Sequence, residues 1–521
     1  MFRTQNYTIF PSFAKKRLYL CPVTTTYMAA RLTGFDNQKY LTIQSEKIRE
    51  RISRFDGKLY MEFGGKLADD YHASRVLPGF EPDSKLMMLE QLKDMAEILI
   101  VISALDIEKN KMRSDYGITY DEDVLRLREE FLDRGFKADS VVITHFNGQE
   151  SAAAYKERLE REGIGVYYLY NIADYPNNVP LIDSDEGFGR NDFVPTSRPL
   201  VVVTAPGPGS GKMVTCLSQL YNEFKRGRKA GYAKFETFPV WDLPLSHPVH
   251  LAYEAATADL DDVNMIDPFH LEAYGKTAVN YNRDIESFPV LQAIFEGIYG
   301  ESPYKSPTDM GVNTISQCIS DDDVCRNASL QEIIRRYFAA LDAFAIGKGT
   351  EKEVNKLTRL MRKCGLEPED RPVVAAARAK KLKTGLSSAA IELQDGKILT
   401  AKAIPLLGSS ASLLLNATKY LAGIPREVKL IPAEAIAPIQ RTKVSFLGGH
   451  NPRLHTDEVL IALSMQSSRD ENCRRALDQL PRLRGCQVHT TEILNQVDID
   501  LFRKLGVDLT SEPIRKKKKR R

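Results

Sequence analysis

Residues 35–512 predict an α/β protein: a mostly parallel sheet, a helical connector and a second α/β part. Three observations carry this reading. First, short apolar runs alternate with amphipathic helical stretches from Phe35 to Ile172, and continuously apolar strands belong to parallel sheets covered on both faces. Second, the run Leu200-Val-Val-Val-Thr204 breaks at Pro206 into a glycine-rich turn that ends in Lys212 and a helix, a P-loop-like succession. Third, the chain restarts after Pro372 with a hairpin and further helices and strands. At 521 residues it exceeds one ordinary core. The division expected is an extension (1–34), an N-terminal α/β domain (35–300), a helical connector (301–371), a C-terminal α/β domain (372–512) and a basic tail (513–521).

In order, Tyr40–Phe55 has helical spacing and Lys58–Phe63 reads as a strand entering Gly64-Gly65-Lys66. Leu86–Asp94 is a predicted helix and Ala96–Ser103 a fully buried strand. Helix 121–134, strand 140–145, helix 152–162 and strand 165–170 follow. Residues 173–198, rich in Pro, Asn, Asp and Gly, predict a long loop, after which the 200–204 strand joins the same sheet. Ligands of such sheets bind at the carboxyl ends of the strands. Asp106, just past the buried strand, is therefore either an acidic partner for a magnesium-bound phosphate or a helix N-cap.

The glycine turn has the parts of an anion cradle. Glycines let backbone N–H groups converge, a helix start adds its dipole, and Lys212 adds a charge. Gly207, Gly209, Ser210, Gly211, Lys212 and Thr215 are the candidate binding residues, for a nucleotide with Mg²⁺ or another phosphorylated small molecule. The pattern departs from the nucleotide P-loop at three places. Gly207 lies one residue too close to Gly211-Lys212, Pro206 stands where glycine is expected, and Met213 replaces the magnesium-binding hydroxyl, leaving Ser210 or Thr215 to supply it. The competing reading is a strand-to-helix turn that needs glycine only for its backbone angles.

Residues 231–283 are polar and aromatic without clear periodicity. Lys234 and Glu236, two apart in a strand-like stretch, share a face. With Asp267 and His270 they are the candidate acid–base groups. His247 and His250 have metal-like spacing but no third ligand nearby, and Pro248 is read as barring a regular helix between them, so no metal is assigned. Residues 328–365 are helical, and their stripe from Leu330 to Phe344 is core packing. Beyond Pro372, residues 388–400 form a hairpin turning at Asp395-Gly396, followed by a helix from Ser409 to Ala422. Strands are expected near 427–431 and 443–446, then a helix 459–466 whose start Thr456 caps. That order resembles a deaminase-like α/β domain, without its His-x-Glu or paired cysteines and hence without its zinc. Arg453 and His455 are read as a separate polar site.

Lys and Arg total 72 against 69 Asp and Glu, and part of the net +3 sits in Arg515–Arg521. A nearly neutral body argues against a nucleic-acid-coating protein. No segment approaches the ~18 apolar residues of a membrane span. The seven cysteines are scattered, with no Cys-x-x-Cys pair, which fits a reducing compartment such as the cytoplasm. The first 35 residues lack Asp and Glu, so 1–27 read either as an organellar transit peptide or as an extension before a true start at Met28.

Gly34-Phe-Asp-Asn, Phe63–Arg75, Ala205–Lys212, Asp262–His270, Ser306–Gly311 and Asn451–Glu458 resemble a family of mainly bacterial proteins of unknown function, built from an N-terminal and a C-terminal part. The resemblance covers Phe35 to about Pro513 and implies α/β, helical and α/β parts in succession, with no established reaction. Two functions are weighed: an enzyme acting on a phosphorylated or nucleotide-like small molecule, and a non-catalytic ligand-binding or assembly protein, homo-oligomeric in one version, whose glycine turn is structural.

Overall fold

A computed structural model describes residues 33–64, 67, 70–113 and 117–514. The transit-peptide reading, Gly65-Lys66 and the 515–521 tail lie outside these residues. The first sheet has seven strands: β1 Leu59–Phe63, β2 Ala96–Ser103, β3 Lys137–Phe146, β4 Gly165–Tyr170, β5 Leu200–Thr204, β6 Gly231–Phe235 and β7 Gly311–Val312. Their spatial order is β7-β6-β1-β5-β2-β3-β4, with every pairing parallel. Parallel strands need long crossovers, and helices supply them. The first part's helices include α1 Asn37–Ser53, α2 Tyr120–Asp133, α3 Glu150–Arg161, α4 Lys212–Lys225, α5 Pro248–Ala256, α6 Pro268–Tyr274 and α7 Asn282–Tyr299, with others such as Ser84–Glu90 and Ala104–Glu108 between them.

Side chains alternate across the sheet, so each strand feeds two cores. Leu59, Met61, Leu200 and Val202 pack with α1, α2 and α3, whereas Tyr60, Val201 and Val203 pack with α4 and α7 through Cys216, Leu217, Leu220, Phe288 and Leu291. Burial on both faces accounts for strands that are apolar at every position.

Two long helices, α8 Asp322–Ala345 and α9 Glu351–Lys363, follow β7. α10 Pro372–Thr384 then leads into a four-stranded sheet of β8 Ser388–Glu392, β9 Ile398–Lys402, β10 Gln487–Thr490 and β11 Asp508–Ser511, in the order β9-β8-β10-β11. The β8–β9 and β8–β10 pairs are antiparallel and β10–β11 is parallel. Against this sheet and beside it lie α11 Ser409–Leu421, α12 Ala433–Arg441, α13 Thr456–Ser467 and α14 Gln496–Lys504.

Several expectations are corrected. The strands expected near 427–431 and 443–446 are absent. Pro425 and Pro432 bracket the first segment, and the second continues α12 as a π-helical turn at 442–446. With Phe446 75% exposed, no sheet edge lies beside those β-forming residues. The 231–283 segment is ordered rather than irregular, holding β6, α5, α6 and a hairpin of Asn264–Ile266 with Val279–Tyr281. Pro248 starts α5 instead of barring it, since proline fits the first helical turn. Phe344 lies outside the core at 49% exposure, although Ile333, Ile334 and Phe338 are buried as expected.

Candidate functional site at the carboxyl ends of the first sheet

β5 lies between β1 and β2. The chain leaves β5 through α4 on one face and leaves β2 toward α2 on the other. Diverging connections open a crevice at the carboxyl ends of those strands, where open α/β sheets bind ligands. The glycine turn is the rim of that crevice.

The turn is held from outside and from within. Thr144 Oγ1, at the end of β3, donates to Ser210 O at 2.7 Å, and Ser210 Oγ donates to Gly207 O at 2.8 Å. Gly207 must be glycine because a Cβ there would sit 2.3 Å from the Tyr120 hydroxyl. Gly211, the N-cap of α4, has φ +84°, and a Cβ on it would meet Thr144 at 2.9 Å. Gly209, at φ +75°, faces open space. The amides of Gly209, Ser210, Gly211 and Lys212 donate to nothing among the described residues, nor does the Lys212 ammonium. Four unpaired N–H groups and a free ammonium at the start of a 14-residue helix make that helix start electropositive. Both candidate hydroxyls are already engaged: Ser210 within the turn, and Thr215 Oγ1 on Gly211 O at 2.8 Å.

Beside the turn stands His145, with φ +52°, a conformation that non-glycine residues rarely hold. Its Nδ1 lies 3.1 Å from Thr144 Oγ1. Burial pushes its pKa below the ordinary imidazole value, and the charge of Asp106 partly opposes this. Asp106 itself is not an N-cap. Ser103 caps the short 104–108 helix, and Asp106 pairs with Lys111 at 3.1 Å.

Across β1 the crevice becomes acidic. Lys234, near the end of β6, contacts Glu236 at 2.9 Å and both oxygens of Asp284 at 2.7 and 2.6 Å. The shared face of Lys234 and Glu236 follows from the strand period; Asp284, from the first turn of α7, comes from fifty residues away and carried no local signal. Glu62 of β1 pairs in register with Lys234 and accepts from the Tyr232 hydroxyl at 2.9 Å. Gly64 leaves room for Glu236, since a Cβ there would lie 3.0 Å from its Cγ. Burial, opposed by Lys234 and reinforced by Asp284, pushes Glu236 up to about 7. Burial works against the Lys234 charge, but Asp284 and Glu236 outweigh it and hold its pKa above the ordinary value. The glycine turn rests on Thr144 of β3 and this triad stands on β6, four positions away in the sheet order. Cys216, one turn into α4, feels both Glu62 and Lys212.

Asp267 and His270 belong to a neighbouring cluster. Asp267 is buried as the N-cap of α6, accepting from His270 N at 3.0 Å and from Thr308 Oγ1 at 2.7 Å. His270 Nδ1 lies 3.0 Å from Ser306 Oγ. Neither bonds directly to Lys234 or Glu236. His247 caps α5 and meets Asp322 at 2.9 Å, while His250 sits between the carbonyls of Val240 and Pro244 and is pushed by burial down to about 4. Among the described residues no three His, Cys, Asp or Glu side chains gather as metal ligands.

In the second part, Arg453 and His455 have different partners. Arg453 donates to Ile404 O at 2.9 Å, whereas His455 lies 2.6 Å from Asn495 and 3.4 Å from buried Asp498. His455, rather than Thr456, is the N-cap of α13, in a capping box with Glu458; Thr456 turns to Asp498 instead.

Two family models match the chain: "domain of unknown function DUF1846, N-terminal" over residues 33–365, and its C-terminal counterpart over residues 369–520. A UPF0371 protein of Corynebacterium diphtheriae is 57% identical over 481 residues, covering 92% of this chain and 97% of its own length. One from Corynebacterium urealyticum is 56% identical over 481 residues with the same coverages. Another from Streptococcus thermophilus is 53% identical over 480 residues, again covering 92% and 97%. No helix among the described residues is long and apolar enough to cross a membrane.

Proposed function

For a chain that belongs to the DUF1846 family of unknown function, we propose an enzyme acting on a phosphorylated small molecule bound at the carboxyl ends of the first sheet. The observation that carries this reading is the pairing of an unsatisfied helix start at Gly209–Lys212 with a carboxyl at Glu236 whose pKa lies near 7. Phosphate receives the four amides and the Lys212 charge. Glu236, poised near neutral pH and steered by Lys234 and Asp284, moves the proton. His145 is a second proton-transfer group at the rim, and Asp267 with His270 shapes the neighbouring wall. The Ser210 and Thr215 hydroxyls are bonded inward, so the reading takes the phosphate as held by amides and lysine, with Mg²⁺ not required at this loop.

The same two inward bonds favour a second reading, a ligand-binding protein without chemistry. A thermal-shift screen of nucleotides and phosphorylated metabolites separates them, because a ligand that binds only the folded state must stabilise it. The enzyme reading expects a hit that is retained in Glu236→Gln, lost in Lys212→Ala, and turned over only by protein carrying Glu236. A hit without turnover would remove the enzyme reading; no hit among phosphorylated compounds would also remove it and leave a non-catalytic protein whose glycine turn is structural.

A further inference from the structure

A cavity of about 600 Å³ lies between the two parts, far in the chain from the glycine turn. Its walls come from Tyr71 and Phe80 of the first part, Ala339 of α8, and Ile499, Val507 and Leu509 of the second. That volume is typical of small-molecule sites, which are mostly apolar with a few placed polar groups.

Two polar groups mark its opposite ends, Arg484 exposed at the rim and Asp342 half-buried on the wall. Arg484 makes no ion pair or side-chain hydrogen bond among the described residues, while the other cavity arginines are engaged: Arg75 with Asp508, Arg335 with Glu332 and Arg503 with Asp500. The Arg484 loop is fixed against the turn before β11, Gly485 N donating to Gly506 O at 2.7 Å. At the far end of β11, Ser511 Oγ donates to one oxygen of Asp342, and the other oxygen is buried without a partner. Burial pushes the Asp342 carboxyl up to about 7. From Val507 to Ser511 the strand spans on the order of 13 Å, which sets the distance between the two groups.

We propose that this interdomain cavity binds an elongated organic anion with an apolar or aromatic body, its anionic head on Arg484 and a hydrogen-bond donor at its other end on Asp342. Such a ligand touches both parts of the chain and stabilises their docking, independently of whether the glycine turn binds phosphate.

Anilinonaphthalene sulfonate carries all three features: a sulfonate, a fused aromatic body and an anilino N–H. Fluorescence titration of the full-length protein is expected to show one saturable site. Arg484→Ala, a change at the cavity rim, should weaken it at least tenfold. Ala339→Trp, which fills the wall, should abolish it while circular dichroism and melting remain those of a folded protein. Lys212→Ala should leave the titration unchanged, which separates this site from the phosphate site. No saturable binding overturns the proposal. So does a signal unaffected by both Arg484→Ala and Ala339→Trp, which would place the dye on exposed apolar residues such as Phe446 and Leu447.

Discussion

At the residue scale the account turns on single groups whose environments differ sharply from water. Glu236 is protonated below about 7 and ionised above it. If it is the general base, kcat/KM on the substrate found by screening falls as pH drops through about 7, and Glu236→Gln removes that limb; a profile flat from pH 5 to 9 would contradict the assignment. Asp183 gives a stability counterpart. Both its oxygens are buried without partners, and burial pushes it up to about 7. A carboxyl with a raised folded-state pKa contributes stability below its unfolded pKa and loses it as pH rises through the folded value. Asp183→Asn should therefore raise the melting temperature more at pH 8 than at pH 5, which differential scanning calorimetry reads directly. The glycines separate by the space around them. Gly207→Val drives a side chain into Tyr120 and should cost about 1–3 kcal/mol by overpacking. Gly209→Ala meets nothing and should cost only the left-handed backbone, about 1–2 kcal/mol. Chemical denaturation of both variants tests that order. Of these features, the shared face of Lys234 and Glu236 was legible from a spacing of two. Asp284, Asp183 and His145 were not, because a partner fifty residues away, burial and a left-handed backbone respectively leave no local mark.

At the scale of elements, the parallel strands and their helices were legible because burial on both faces writes itself as unbroken apolar sequence, as in Ala96–Ser103. The turn at Asp395-Gly396 was legible because Gly396 needs its φ of +76°. The missed elements are those where context overrides composition. Val444 and Phe446 have strand propensity but no sheet beside them, and the 231–283 segment forms short elements whose order comes from buried polar contacts such as Asp267 with Thr308. The glycine turn is itself an element held by a neighbour. Thr144→Val removes the hydrogen bond to Ser210 O and should cost about 1 kcal/mol of stability. It should also weaken phosphate-ligand affinity by loosening the turn, with Lys212 untouched; unchanged affinity in a titration would show that the turn keeps its shape without that strand.

At the scale of the whole molecule, the two parts meet through specific contacts centred on β11. Arg75 of the first part reaches the Asp508 carboxylate at 2.5 Å, Asp342 of α8 accepts from the Ser511 hydroxyl, and within the second part the fully buried Arg371 donates to Asp508 O at 2.9 Å. The runs that carry the family resemblance fall in both parts, and both family models match, so the two-part organisation belongs to the family. What that organisation positions is the open carboxyl edge of a seven-stranded sheet, with a free helix start on one side of β1 and a near-neutral carboxyl on the other. The central claim is that the helix start holds an anion, and isothermal titration of the full-length protein with inorganic pyrophosphate at low ionic strength tests it most directly. The account predicts saturable binding to one site, weakened in Lys212→Ala by about 1.5–3 kcal/mol, the worth of a hydrogen bond to a charged group, and preserved in Glu236→Gln. Absence of binding, or equal binding by wild type and Lys212→Ala, would contradict it.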